Sequence, residues 1–203
     1  MEVGASKGAF YHYFDSKQAL LQAVVDRLVQ SAAVVMGCVL DEDKPAIDKL
    51  RAYFQSIASY KSEQMDFLLA LMRVWYSDDN AIVRQKIRRQ SWTLVAPQIA
   101  TIIRQGIAEG AFTLSDPDQM ARVVLALILD AGDEAGEMWL ARQAGQMEYS
   151  EIRDRFTDWP LALERVLGIA PGRLELVDES ILRLWFEDVF TTHPDVTNPR
   201  REN

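Results

Sequence analysis

The sequence predicts an all-α fold. Apolar residues recur at spacings of three and four almost throughout, Pro, Gly and Asp mark the breaks, and no stretch reads as a strand. With 203 residues, 49% of them apolar, the chain can bury a sizeable core, as one large domain or as a small head on a bigger body.

Taken in order, a short helix is expected over about 7–14, with Ser6 as its N-cap. A second follows Asp15, which has capping-box spacing to Gln18, and runs to about Leu40. Leu20, Leu21, Val24, Val25, Leu28, Ala32 and Val35 lie along one side of it, and the acidic loop Asp41-Glu42-Asp43 ends it. Pro45, suited to a first helical turn, opens a helix to about Tyr60, and another covers about 65–76. A long helix over about 81–109 should bend at Pro97, where a backbone donor is missing, and stop at Gly110. Asp116-Pro117 starts the next, to about Gln143. A less regular amphipathic segment with Trp159-Pro160 spans 150–168, Pro171-Gly172 marks a turn, and a last helix covers about 178–190. The tail 191–203, with two prolines, should fray. There is no internal repeat and no low-complexity tract.

Lys and Arg total 22 against 30 acids, a net charge of −8, so there is no general attraction for nucleic acid and any DNA binding must be local. The one cysteine, Cys38, rules out an intramolecular disulfide; set among apolar neighbours, it reads as a buried small hydrophobe. The longest wholly apolar runs, 32–40 and 123–129, fall short of the ~18 residues of a membrane span. The N-terminus lacks the order of a secretory signal. The expectation is a cytoplasmic protein without a membrane partner.

The most informative stretch is Gly4-Ala5-Ser6-Lys7-Gly8-Ala9-Phe10-Tyr11-His12-Tyr13-Phe14-Asp15-Ser16-Lys17-Gln18-Ala19-Leu20-Leu21. A glycine followed by a capped helix suits the tight turn of a helix-turn-helix. At ~100° per residue, Lys7, Gly8, Tyr11 and His12 share an arc of about 140°, while Phe10 and Phe14 sit together on a neighbouring face. A recognition helix needs that division between base edges and core. Lys17, in the first turn of the next helix, opposes the helix dipole, and a phosphate there would turn that cost into a gain. Periodicity alone would favour reading three aromatics in four residues as core packing.

The run from Ser6 to Leu21 resembles, almost residue for residue, the recognition helix and following helix of the TetR (tetracycline-repressor-like) family. The resemblance implies an all-α, TetR-like fold: a helix-turn-helix head on a helical-bundle ligand-binding and dimerisation domain. By that analogy Lys7, Gly8, Tyr11 and His12 touch bases or nearby backbone, Tyr13 and Lys17 hold phosphates, and Phe10 and Phe14 pack the head. Family members carry a first helix and most of a second before this point, so the head is expected to be incomplete at its N-terminus. Within residues 1–30, Lys7, Lys17 and Arg27 balance Glu2, Asp15 and Asp26, so the head is not basic either. The division expected is head 1–22, with recognition helix about 7–14, body 23–190 and tail 191–203.

A second stretch, Ile102-Ile103-Arg104-Gln105-Gly106-Ile107-Ala108-Glu109-Gly110-Ala111-Phe112 before Asp116-Pro117, resembles the family's junction between its seventh and eighth helices. The helices that line the family's pocket here carry Phe54, Phe67, Leu71, Met72, Trp75, Trp92 and Met120. These read as candidates for a pocket holding a small, largely apolar molecule, with ordinary core as the alternative for each. Ala131, Gly132, Ala135 and Gly136 form a small-residue patch at helical spacing. With Ile181, Leu184, Trp185 and Val189 it suits the four-helix homodimer interface the resemblance implies, or else tight packing within one chain. Asp130, Asp133, Glu134 and Glu137 could hold a cationic ligand or form a solvated face, and the solvated face is the reading taken. Arg84, Lys86, Arg88 and Arg89 read as an exposed helix face.

The function expected is a DNA-binding transcriptional regulator, a repressor released from a palindromic operator by a small-molecule ligand. The alternatives are a ligand-binding or protein-interaction module that does not bind DNA, and, behind it, an enzyme on a helical bundle. The only histidines are His12 and His193, and there is no Glu-x-x-His pair, no Gly-x-Ser-x-Gly turn and no phosphate-binding glycine loop. No catalytic residue, metal ligand or cofactor is called for by the motifs.

Overall fold

The computed structural model describes residues 16–176 and 178–188. Among them the ordered elements are all helical, as the periodicity predicts. The expected recognition helix 7–14, the cap at Asp15, Val189 and the tail 191–203 lie outside the described residues.

Helix α1 (Lys17–Gly37) begins at Ser16, whose Oγ accepts a hydrogen bond from the Ala19 backbone N–H at 3.1 Å. The cap is therefore Ser16 rather than Asp15. A 3₁₀ turn, Cys38–Asp41, extends the helix to the expected acidic stop. Taken to Asp41, this stretch is long and apolar enough, by length and composition, to cross a membrane, which the apolar-run count did not reveal. Core helices pass the same test, and Val25, Ala32, Ala33 and Met36 are buried in the body. Cys38 is exposed, not buried, because it follows the last turn of α1 on the side away from Val39 and Met36.

Pro45 opens α2 (Ala46–Glu63), and α3 (Met65–Trp75) follows after one residue. The long helix expected to bend at Pro97 is two, α4 (Ala81–Leu94) and α5 (Ala96–Ala108), parted at Val95. Pro97 thus occupies a first turn, where its missing donor goes unneeded. Gly110 closes α5 with φ +71°, a left-handed conformation that side chains resist. The Glu109 carboxylate accepts from the Ala46 N–H at 2.9 Å, tying the end of α5 to the start of α2. That bond, with a second from the Gln105 amide, holds the Glu109 carboxyl below its usual range.

Asp116 caps α6 (Pro117–Gln143) by accepting from Asp118 N and Gln119 N. The segment expected to be less regular is a continuous helix, α7 (Tyr149–Leu167), with Pro160 inside it. A reciprocal capping box between Glu148 and Glu151, and burial of Ile152, Leu163 and Leu167, offset the bond lost at Pro160. The turn at Pro171-Gly172 leads to α8 (Glu179–Arg183), which continues as a π-helical turn over Leu184–Asp188.

Three apolar clusters result. The first and largest gathers Leu50 and Tyr53 of α2, Ile99, Ile102 and Ile103 of α5, Val124 and Leu125 of α6 and the end of α7. The second joins Leu69, Met138, Trp139, Ile152, Leu182 and Phe186. The third, smaller, sets Val25 of α1 against Val83 and Ile87 of α4. Two buried polar arrangements lock this frame. Tyr53 donates its hydroxyl to Gln98 Oε1 at 2.7 Å, and Gln98 Nε2 donates to the Ala33 carbonyl at 2.9 Å, so α2, α5 and α1 are linked through one amide. Glu164, 1% exposed, accepts from Gly172 N and Leu174 N and fixes the turn after α7.

Candidate functional site

Two places are candidates for a functional site: the start of α1 and a polar, half-exposed seam on the body. At the first, Ser16 spends its hydroxyl on the helix end, and Lys17 projects into solvent from the first turn. Lys7, Gly8, Tyr11, His12 and Tyr13 lie outside the described residues. Along the same turn, a groove of about 240 Å³ separates Ser16, Ala19 and Gln22 of α1 from Ile82, Val83 and Lys86 of α4. Lys86 Nζ bridges it by donating to Gln22 Oε1 at 3.0 Å.

The seam arises where the three clusters fail to merge. On α2, Lys61 follows Tyr60 of the first cluster and precedes Met65 of the second. On α6, Asp130–Glu134 fall between Leu129 of the first cluster and Ala135 of the second. On α4, Arg88 stands between Ile87 of the third cluster and Trp92 of the first. Tyr76 directly follows Trp75, of the third. The charges meet across the gap. Arg88 Nη1 lies 3.2 Å from Asp133 Oδ2, and the Tyr76 hydroxyl donates to the Asp133 carbonyl at 3.2 Å. Arg84 donates to the carbonyls of Trp75 and Ser77 and so fixes the turn after α3. Just beyond Lys61, an open hollow of about 390 Å³ is lined by residues 62–67.

Desolvation marks the seam electrostatically. It raises the Asp133 carboxyl pKa, with Arg88 pulling the other way. Burial, and then the Asp133 and Glu137 charges, push the Tyr76 phenol up to about 12 against the opposing pull of Arg84. The Lys61 ammonium is lowered by desolvation, with Asp133 acting to raise it. Lys61 is nonetheless exposed by surface area.

The seven apolar candidates are distributed among the clusters. Phe54, Trp92 and Met120 pack on the first, Met72 on the second, and Leu71 and Trp75 on the third, while Phe67 is 42% exposed. Trp92 also lies under the Arg122 guanidinium, 4.9 Å from the ring centroid. In the small-residue patch, Gly136 is buried beneath the Tyr76 phenol, which occupies the space a Cβ would need. Gly132, one turn away, has nothing near it; Ala131 and Ala135 are half-buried. Ile181 is half-buried, Leu184 is exposed, and Trp185 donates its indole N–H to Ser62 Oγ at 3.0 Å. Arg84 and Arg88 are half-buried and bonded instead of forming a free face with Lys86 and Arg89. Sequence reasoning passed over Lys61 and Tyr76. The sequence offered no signal for them, since their link to Asp133 joins elements far apart in the chain.

A family model described as bacterial regulatory proteins, tetR family, matches residues 1–24, and one described as tetracyclin repressor-like, C-terminal domain, matches residues 46–133. Together they cover more than half of the chain. The chain belongs to the TetR family. It is a transcriptional regulator built on the all-α TetR-like fold. No curated protein matches the sequence. The TetR C-terminal match runs from α2 into α6 and so contains Lys61, Tyr76, Arg84, Arg88 and Asp133. The N-terminal match contains Ser16 and Lys17.

Proposed function

We propose that this TetR-family chain is a homodimeric repressor that leaves a palindromic operator when a small molecule enters the helical body. The observation that carries the reading is the course of α1. It starts at Ser16, immediately after the motif that resembles a recognition helix, and it packs into the body against α2 and α4. Its far end is held by Gln98. A change in packing around the seam therefore acts on the helix that would carry the head. Residues 1–22 are the proposed head, 23–190 the body and 191–203 a tail. Lys7, Gly8, Tyr11 and His12 are the proposed base-reading group, with Tyr13 and Lys17 on phosphates. Two such heads about 34 Å apart reach successive major grooves. The patch at Ala131, Gly132 and Ala135, together with Ile181 and Leu184, is the proposed pairing surface. Gly136 and Trp185 serve the interior of their own chain. Ligand shifts the equilibrium only by its difference in affinity for the two head arrangements.

DNA binding at stated salt tests this, using the chain and a form extended upstream. Salt-sensitive binding to a palindromic site, lost in the triple variant Tyr11→Ala, His12→Ala, Lys17→Ala, is expected. Survival of specific binding in that variant refutes the head assignment. Folded, dimeric protein that binds no DNA in either form favours a sensor or interaction module instead.

A further inference from the structure

We infer that Gln98 is the positioning residue of α1: its carboxamide, oriented by Tyr53, pins the last turns of that helix to α2 and α5 and so sets the angle at which α1 presents its head end. The inference rests on the reading that α1 carries the DNA-binding head, and deepens it by naming the residue on which the head's orientation depends.

Gln98 stands in the first turn of α5, just past Val95, where α4 and α5 part. α1 packs along α2 and α4. The amide adds a tie from α5: Nε2 donates to the Ala33 carbonyl at 2.9 Å, and Oε1 accepts from the Tyr53 hydroxyl at 2.7 Å. Its sense is fixed from both sides. A backbone carbonyl can only accept, so the amide nitrogen must face Ala33, and the Tyr53 hydroxyl has to donate to the oxygen. Turning the amide over would set two acceptors against each other at Ala33. Tyr53 is buried, so a hydroxyl left without this acceptor would be costly. One turn further along α1, Gly37 completes the seat. A Cβ there would lie 3.0 Å from Nε2, so the missing side chain lets the amide lie close against the helix. From Ala33 back to Lys17 the helix runs about 24 Å, at about 1.5 Å per residue. A tilt of about 5° at the grip therefore moves the head end by about 2 Å.

The experiment measures a distance along this lever in the full chain. Spin labels at Ala23→Cys on α1 and Thr101→Cys on α5, both exposed positions, are read by double electron–electron resonance in a Cys38→Ser background, with labelled chains diluted into unlabelled ones. One narrow distance is expected while Gln98 is in place. Gln98→Leu should lose it, giving a broad distribution in protein that keeps its helix content. Gln98→Glu should be broad at about pH 8, where a carboxylate faces the Ala33 carbonyl, and narrow at about pH 5, where the protonated acid donates to Ala33 and still accepts from Tyr53. Ala33 and Gly37 bring no ionisable group to this position, and the Tyr53 phenol, raised by burial, stays neutral throughout. A residue serving stability alone would shift the unfolding midpoint and leave the distance narrow. The inference is overturned by a broad distance with Gln98 in place, by a narrow one in folded Gln98→Leu, or by a Gln98→Glu distribution that ignores pH. Unfolding of both variants would make the amide a stability element and overturns it as well. None of these outcomes touches the reading that α1 carries a head, which fails separately if neither the chain nor its upstream-extended form binds DNA.

Discussion

The first apolar cluster and the seam lie on the same helices, α2, α4 and α6, yet treat polar groups in opposite ways. In the first cluster Tyr53 is 1% exposed, and its hydroxyl meets Gln98, whose amide in turn meets Ala33. In the seam, Lys61 has no hydrogen-bond partner among the described residues, and Asp133 remains partly desolvated even with Arg88 beside it. Buried polar groups that satisfy one another rigidify a core. Within one bundle, the first cluster closes its polar groups on one another, whereas Lys61 and Asp133 also meet solvent.

The largest expected effect falls on the frame. Ile102, fully buried between α2 and α6, should lose about 2–5 kcal/mol of unfolding free energy on Ile102→Ala, measured by urea titration. An effect below about 1 kcal/mol would mean the first cluster collapses around cavities and is no rigid frame. Gln98→Leu should cost about 1–3 kcal/mol, because the Tyr53 hydroxyl stays buried without its acceptor.

Two glycines one turn apart on α6 sharpen the contrast further. Gly136→Ala places a methyl against the Tyr76 phenol and should destabilise by about 1–3 kcal/mol while shifting Tyr76. Gly132→Ala meets open space and should stabilise the monomer by up to about 1 kcal/mol through helix propensity. Loss of dimer in size-exclusion chromatography for Gly132→Ala, with the fold intact, would place that residue in the pairing surface.

The tyrosines compare the two regions through pH. Burial alone lifts the Tyr53 phenol, whereas burial plus Asp133 and Glu137 lift Tyr76. Both folded-state values lie above the ordinary 10.0, so their contributions are full below that pH and fade as it rises. For Tyr76 the loss should run from pH 10 to about 12. Urea midpoints through this range should fall, and Tyr76→Phe should flatten that part of the curve; an unchanged slope would remove Tyr76 from the buried seam. The smallest effect is expected from Asp133→Asn. It breaks a half-exposed pair with Arg88, so stability should change by less than about 1 kcal/mol. A larger loss would make the seam structural in the same sense as the frame.

Much of this was legible in the residues. Apolar spacing specified the helices, and local punctuation placed their ends: Pro45 opens α2, Asp116-Pro117 opens α6, and Gly110 takes the positive φ that closes α5. The motif from Ser6 to Leu21 carried the family by itself, because side-chain identity at fixed spacing is a local property of the chain. Tertiary structure alone decided which residues meet. Glu164 sits on α7 like any exposed acid until the turn at 171–174 folds back to donate two N–H groups to it. Gly136 and Gly132 are equivalent in a helical repeat, and only the arrival of Tyr76 distinguishes them. Lys61, Arg88 and Asp133 come from three helices far apart in sequence, so no periodicity in one helix could reveal their convergence. Helix formation follows from neighbours within a few residues, whereas desolvation and pairing depend on every atom that packs around a charge.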